Sequence, residues 1–381
     1  MNAVRIYLDH NATTPIRPEV VEAMTFVLRH EFGNPSSVYA EGASARARVE
    51  IARAQIAALL GIDPGDIRFT GGATEANNTV LFGSLAPGDH VVTTLVEHPS
   101  IVEPLAVLEA RGVLVDRVAP DLHGCVSASE MAAAIEDRTK LVAMIWANNE
   151  TGSIQPVEEV AEICRERAIA FHVDATQAIG KYPVDLGRVR VSSLSSSAHK
   201  LGGPKGVGAL VTPNGPVLPP HLYGGGQEKG LRGGTENVAS IVGYGVACEL
   251  ARTEGAARAE ASGKLRDRLW QGIQSNLKDV CWNGGPGRTL SNTLNVEFSG
   301  LSGEVLLQAL DLEGVAVSAG AACHSGSIEP SKVLIAMGRT PEQARASLRI
   351  SVGWGVDEAQ IDRVVALLCE LVPRVRKAEA P

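Results

Sequence analysis

Lys200 stands in a setting that suits imine chemistry. Residues 191–210 read VSSLSSSAHKLGGPKGVGAL: a short β-tending run, three serines, His199-Lys200, then a Gly-Pro exit before another strand-like run. A lysine that forms a Schiff base needs an amine of depressed pKa, with groups nearby that hold a phosphate. Taken alone, the stretch reads more readily as a solvated loop lysine. Four other polar clusters, each at the end of a strand-like run, reverse that weighing. Gly71-Gly72-Ala73-Thr74 opens a helix, so the N–H groups around Ala73 and the Thr74 hydroxyl can hold a phosphate. His98 follows the next strand and suits a helix cap or a ring-stacking role. Asn148-Asn149-Glu150-Thr151-Gly152 follows a third, and Asp174 with Gln177 a fourth. An aspartate in that place is an N-cap or the partner of a cofactor ring nitrogen. Together these are the parts that pyridoxal 5'-phosphate (PLP) requires. Thr74, Ser197 and His199 serve its phosphate, His98 its ring face, and Asp174 and Gln177 its nitrogen and hydroxyl. Lys200 forms the Schiff base. Lys205, after Pro204 and at the start of a new strand, is the rival lysine and reads as structural.

Cys323 is the second reactive residue. The six cysteines (125, 164, 248, 281, 323 and 369) form no C-x-x-C pair, which suits neither a disulfide framework nor a zinc site, and no metal is expected. Five lie among apolar neighbours, as small buried hydrophobes do. Cys323 lies instead in SAGAACHSG (318–326), a loop of small residues with the character of a mobile arm. A free thiol has a pKa of about 8.5, so only a small fraction is thiolate at neutral pH. His324 or the bound substrate is the expected source of activation.

The elements that must position these residues follow from periodicity. From Ile67 to about residue 200, short apolar runs alternate with amphipathic helical segments, the pattern of a mostly parallel sheet wrapped by helices. Their near-continuous apolar character fits strands buried on both faces. Helices are expected from Pro18, from about Val38 to Leu60, and from Ser127, where Glu130 gives a capping-box spacing. Gly-rich residues 223–234 break the rhythm and read poorly as a loop over their own domain. A long helical region from Glu236 to Leu277, interrupted near Gly255, follows. After it come strands at Thr293–Phe298, Val315–Val317 and Leu348–Val352, with a long loop before the last, and a helix from Asp357. The expected division is a large α/β domain over 15–255 and a smaller α+β domain formed by 1–14 and 256–381, which carries the Cys323 loop.

With 381 residues, 45% hydrophobic and 20% charged, the chain has a globular composition. Its net charge of −8 argues against nucleic acid and anionic membranes as partners. Nothing is apolar for long enough to span a bilayer, and the opening MNAVRIYLDHN has no signal-peptide pattern, so a cytoplasmic location is expected.

Nearly end to end, the chain resembles the cysteine desulfurases of the nitrogenase-maturation and iron–sulfur-cluster type, class V aminotransferases of PLP fold type I. The resemblance rests on YLDHNATTP (7–15), GNPSS (33–37), FTGGATEANN (69–78), EHPS (97–100), NNETG (148–152), HVDATQAIGK (172–181), SSSAHKLGGPKGVGAL (195–210), RGGTENV (232–238) and SAGAACHSG. It implies that Lys200 carries PLP, that His98, Asp174 and Gln177 hold the ring, and that Ala73, Thr74, Ser197 and His199 hold the phosphate. Thr235 is then supplied by the second subunit of a homodimer. Asn149 and Arg349 take the substrate carboxylate, with Asn34 of GNPSS also expected at the substrate. The implied reaction converts L-cysteine to L-alanine through a persulfide on Cys323, with Lys200 moving the α-proton. The sulfur then passes to an acceptor or iron–sulfur scaffold protein. Two positions depart from the common pattern: Ala198 replaces a glycine, and His324 follows the cysteine where many desulfurases have threonine. Cys-His-Ser also occurs in selenocysteine lyases, which are the alternative reading.

Overall fold

The computed structural model describes residues 5–213, 218–319 and 329–379. The chain begins with β1 (Ile6–Tyr7), α1 (Pro18–His30) and α2 (Ala40–Leu60). Then follow β2 (Ile67–Thr70), α3 (Ala73–Ser84), β3 (His90–Thr94), α4 (Pro99–Ala110), β4 (Leu114–Val118), α5 (Ala128–Ala134), β5 (Thr139–Ile145), α6 (Val157–Glu166) and β6 (Ala170–Asp174). Two further strands, β7 (Ser193–Ser197) and β8 (Gly208–Val211), flank the turn that carries Lys200. These strands make one sheet in the order β2-β8-β7-β6-β5-β3-β4. It is parallel throughout except at β8, which runs antiparallel to both β2 and β7. The β3, β5 and β6 strands are apolar and almost wholly buried because helices cover both faces. One face packs Val49, Ile56, Met144, Phe171 and Tyr244, the other Val80, Leu81, Ile101 and Leu105.

β7 departs from that pattern. Its sequence is Ser-Leu-Ser-Ser-Ser, yet every residue is buried. The expected strand ended at Leu194, whereas the serines themselves form it. Hydroxyl partners account for two of its serines: Ser193 Oγ bonds His172 Nδ1 and Ser196 Oγ bonds the Tyr244 hydroxyl, while Ser195 Oγ is buried with no partner among the described residues.

The remaining elements are α7 (Val238–Asn276), β9 (Val280–Asn283), β10 (Thr293–Phe298), α8 (Gly303–Leu312), β11 (Val315–Ala316), β12 (Ser318–Ala319), α9 (Lys332–Ala336), α10 (Pro341–Arg345), β13 (Ser347–Ser351) and α11 (Glu358–Glu379). An antiparallel sheet, β12-β13-β10-β9, builds a second core with Leu269, Phe298, Leu306, Ile361 and Leu368. Ile6 and Leu8 belong to this core, and β1 pairs in parallel with β11.

Three expectations are corrected. α7 is one uninterrupted helix of 39 residues, because Gly255 lacks the positive φ that would end it. The segment before β13 is not all loop: α9 and α10 lie there, and α10 has a complete capping box between Thr340 and Gln343. At α5 no box forms, because Ser127 Oγ accepts the Ser129 N–H instead. Among the described residues no helix is long and apolar enough to cross a membrane.

A β-carbon at Gly255 would meet only the Gly180 carbonyl oxygen, at 3.8 Å. Alanine loses less backbone entropy than glycine in a helix interior, so Gly255→Ala should stabilise the fold by ~0.5–1 kcal/mol. Calorimetry should show a raised Tm, and a lowered Tm would contradict the continuous helix.

Candidate active site

The carboxyl ends of β3, β5, β6 and β7, the first turn of α3 and the segment 11–13 enclose a cleft of about 890 Å³. Ala73, Thr74, His98, Asn149, Asp174, Gln177, Ser197, His199, Lys200 and Arg349 all line it, as does the rival Lys205.

Lys200 lies in the single helical turn after β7. Its Nζ donates to the carbonyls of Asn11 at 2.6 Å and Ala12 at 2.7 Å. Burial lowers its pKa to about 8, and the nearby Arg349 cation adds to the effect against the opposing pull of Asp174 and Asp9. Lys205 is exposed.

Asp174 ends β6 with both carboxylate oxygens engaged. Oδ1 accepts the Thr176 N–H at 3.0 Å and Oδ2 accepts Asn77 Nδ2 at 2.8 Å. The same Asn77 amide donates to Ser100 Oγ at 2.8 Å, while its Oδ1 accepts His172 Nε2–H at 2.9 Å. Burial holds His172 neutral, lowering its pKa to about 4. Ser100 Oγ, already an acceptor from Asn77, donates to His98 Nδ1 at 2.8 Å, and the Ser100 N–H reaches that nitrogen at 3.1 Å. With Nδ1 accepting, the network assigns the proton of neutral His98 to Nε2. His98 therefore does both things its position allows: it caps α4 and presents its ring to the cleft. Burial lowers its pKa.

The phosphate end is built from backbone. Gly72, with φ of 152° in a region few other residues reach, precedes α3, and the first-turn N–H groups of Ala73, Thr74 and Glu75 have no partner among the described residues. Ser197 and His199 line the same cleft, and Ser197 Oγ would lie 3.8 Å from a β-carbon at Gly72. Burial and the neighbouring lysines hold His199 neutral, with a pKa of about 4, and its Nδ1 bonds Thr13 Oγ1 at 3.1 Å. A helix N-terminus with free N–H groups suits an anion.

Arg349, on β13, reaches into the cleft although only 6% of it is exposed. Nη2 donates to Asp9 Oδ1 at 2.7 Å and Nη1 to the Asn149 carbonyl at 3.1 Å, while the buried Nε has no partner among the described residues. The Asp9 pairing was not legible in the sequence. Neither were the roles of Asn77 and His172, although their motifs were noted, nor that of Asn11. Only His172 carries such a signal, as a polar residue within the largely apolar β6, whereas Asp9 and Asn11 lie in a polar turn.

Two expected residues lie elsewhere. Asn34 is exposed outside the cleft, where its Oδ1 accepts the Ser36 N–H at 2.9 Å. A local turn satisfies the side chain, and it does not join the substrate residues of its own chain. Thr235 is likewise exposed and outside its own cleft. The Gly-rich stretch before it does lie on its own domain, contrary to expectation, tied by Arg232 to Glu75 at 3.0 Å and by Glu228 to Arg53 at 2.8 Å. Cys323 and His324 lie outside the described residues. Of the acidic groups near a histidine, His90, Asp116 and Glu136 come within 4.8 Å of one another. Asp116 lies 3.4 Å from His90, and Glu136 pairs with Arg138 at 2.7 Å.

Residues 6–364 match the family model described as aminotransferase class-V. The chain belongs to that family. A cysteine desulfurase IscS of Methanosarcina thermophila is 42% identical over 97% of this chain and 93% of its own length. A solved NifS-like protein superposes with a TM-score of 0.91 at 35% identity, covering 97% of this chain and all of its own. A third relative, SspA in complex with cysteine, gives a TM-score of 0.81 at 34% identity over 91% of this chain and 99% of its own. Class-V aminotransferases use PLP, and this cleft fits it. The free N–H groups of α3 suit the phosphate, the Asn77-held Asp174 suits the ring nitrogen, and Lys200 is the cleft lysine of lowered pKa.

Capture of PLP by the apoprotein should quicken as pH rises toward about 8, where Lys200 becomes neutral, well below the ordinary lysine value of 10.5. Borohydride reduction should then leave the pyridoxyl group on Lys200. A label on Lys205 or Lys181 would overturn the assignment.

Arg349→Lys removes a planar, two-pronged donor from a buried site. Charge-assisted hydrogen bonds contribute about 1.5–3 kcal/mol, so KM for an α-carboxylate substrate should rise about 10- to 100-fold. An unchanged KM would assign the carboxylate to another group.

Proposed function

We propose that the protein is a cysteine desulfurase, converting L-cysteine to L-alanine and passing the sulfur, through a persulfide on Cys323, toward iron–sulfur cluster assembly. One observation carries the reading. A lysine of lowered pKa, an oriented aspartate and a buried arginine converge on one cleft, in a chain 42% identical to a named cysteine desulfurase.

Bound PLP supplies an electron sink for the pair released at the substrate α-carbon. The chain's own residues do the rest. Arg349, helped by Asn149, grips the substrate carboxylate and fixes the amino acid's orientation. Lys200, with a pKa of about 8, is balanced to take the α-proton and return it. Asp174, aimed by Asn77 and the Thr176 N–H, favours a proton on the nitrogen it faces. His98 turns its Nε2–H side to the reacting groups. The Cys323 thiolate attacks the substrate sulfur. The carbon–sulfur bond breaks with its electron pair left on carbon, a proton completes alanine, and the sulfur stays on Cys323 until an acceptor protein takes it.

The active form is a homodimer in this reading. Phe26, Leu28, Phe32, Val38 and Tyr39 run from the end of α1 through the following turn and are 45%, 73%, 85%, 94% and 58% exposed, a density of apolar surface that a second subunit would cover. Thr235, exposed on its own chain, is then delivered to the partner's phosphate. The two apolar cores support the proposed division into domains of 15–255 and of 1–14 with 256–381, bridged by α7. The protein acts in the cytoplasm. Selenocysteine lyase is not retained, since no structural observation favours selenium over sulfur.

Cys323→Ala should keep PLP and its yellow colour, because Lys200, Asp174 and the phosphate site do not depend on the thiol. Sulfide and alanine production from L-cysteine should fall to background. Undiminished turnover would remove Cys323 from the reaction.

A further inference from the structure

Lys181 is a second lysine beside the active site. It lies in the turn after β6, four residues beyond Gln177, and does not line the main cleft. It borders instead a smaller cavity of about 240 Å³ on the far side of Lys200, walled by Arg17, Arg258 and Trp354. A ligand in the main cleft therefore does not touch Lys181. Its Nζ donates to Gln177 Oε1 at 2.6 Å and to Asn11 Oδ1 at 3.1 Å.

Both acceptors matter to the cleft. Gln177 can turn its amide either way, and only the hydrogen-bond network decides which end faces what. With Oε1 held by Lys181, Nε2 donates to the Asn11 carbonyl at 2.8 Å and keeps one N–H for the cleft. The reversed amide would set Oε1 against that carbonyl, two acceptors face to face. The same Asn11 carbonyl is the acceptor that Lys200 grips at 2.6 Å. We infer that Lys181 is a positioning residue for the cofactor: it locks the Gln177 amide with an N–H toward the cleft.

The half-buried setting agrees with this role. Burial pushes the Lys181 pKa well below the ordinary lysine value, with Lys200 and Arg349 adding to the effect. Two of its N–H donors meet the two acceptors it faces, Gln177 Oε1 and Asn11 Oδ1.

The inference rests on the reading that the cleft holds PLP and is independent of which amino acid is turned over. The test is a double-mutant cycle on holoenzyme, following PLP release on dilution by visible absorbance. Lys181→Met and Gln177→Leu should each speed release about three- to tenfold, the loss of one hydrogen bond. Their combination should release PLP no faster than Gln177→Leu alone, because Lys181 acts through Gln177. Lys181→Arg restores a donor, with the adjoining cavity to accommodate it, and should return release toward the wild-type rate. Multiplicative effects in the double variant would overturn the inference, as would a Lys181→Met protein of reduced Tm whose PLP release is unchanged. A wild-type protein that binds no PLP would instead sink the cofactor reading itself.

Discussion

A single buried asparagine joins the parts of this molecule that must meet. Asn11 is 1% exposed, and every polar atom it has is engaged. Its N–H donates to Ser351 Oγ, and its Nδ2 donates to Thr293 Oγ1 and the Asn149 carbonyl. Its Oδ1 accepts from Asn292 and Lys181, and its carbonyl from Gln177 and Lys200. One set of partners belongs to the sheet of the second core, the other to the segments after β5, β6 and β7 of the large sheet. The chain crosses between them because β1 is bound into the second core while α1 packs on the first. Leaving any one of these groups unmet inside the protein would cost about 1–3 kcal/mol. The cleft floor is therefore held in one arrangement, and Lys200 is held with it.

Charge is distributed around that floor so that burial is tolerable. Arg349 is almost wholly covered, and an unpaired buried guanidinium would be strongly unfavourable. Asp9 supplies the counter-charge at 2.7 Å, from the same short segment that carries Asn11. Two carboxyl groups avoid the problem by staying protonated more readily. Burial raises Glu97 to about 8 and Glu150 to about 7, with hydrogen bonds from Thr94 and Ser331 opposing the rise. Asn77 performs a comparable service for polar groups, linking Asp174, His172 and the Ser100–His98 pair through one amide. Such networks hold reacting groups in one geometry, and one amide end exchanged for the other would break three contacts at once.

The phosphate end is tied to the rest through the Gly-rich stretch. Arg232 binds Glu75 in the first turn of α3, and Glu228 binds Arg53 while also accepting the Phe69 N–H that precedes it. Glu228 and Lys229 adopt left-handed backbone angles, φ 47° and 60°, which non-glycine residues rarely take. The buried Glu228–Arg53 pair explains why this conformation persists: relaxing the backbone would withdraw the carboxylate from both partners. The loop that ends at Thr235 is thereby fixed relative to α3 of its own chain.

Much of this was legible from residue order alone. Alternating apolar and amphipathic runs specify a parallel sheet with helices on both faces, because that pattern buries apolar surface in few other ways. In such a sheet the residues just past each strand share one edge, so Ala73, Thr74, His98, Asn149, Asp174, Ser197 and Lys200 were bound to assemble once the strands paired. Other features have no local signature. Residue order does not show that the serines of β7 are buried, since their partners His172 and Tyr244 arrive from other strands and helices. Gly255 looked like a break, but packing between two cores carries α7 straight through it. Asn34 looked like a site residue, and a turn within its own loop satisfies it away from the cleft. The Asn11 crossing, the Asp9–Arg349 pair and the Lys181–Gln177 lock join residues far apart or on successive turns whose orientation is set elsewhere. Pattern and propensity act over a few residues and determine which elements form. Which buried polar group answers which is decided only when those elements pack and each must find a partner out of reach of water.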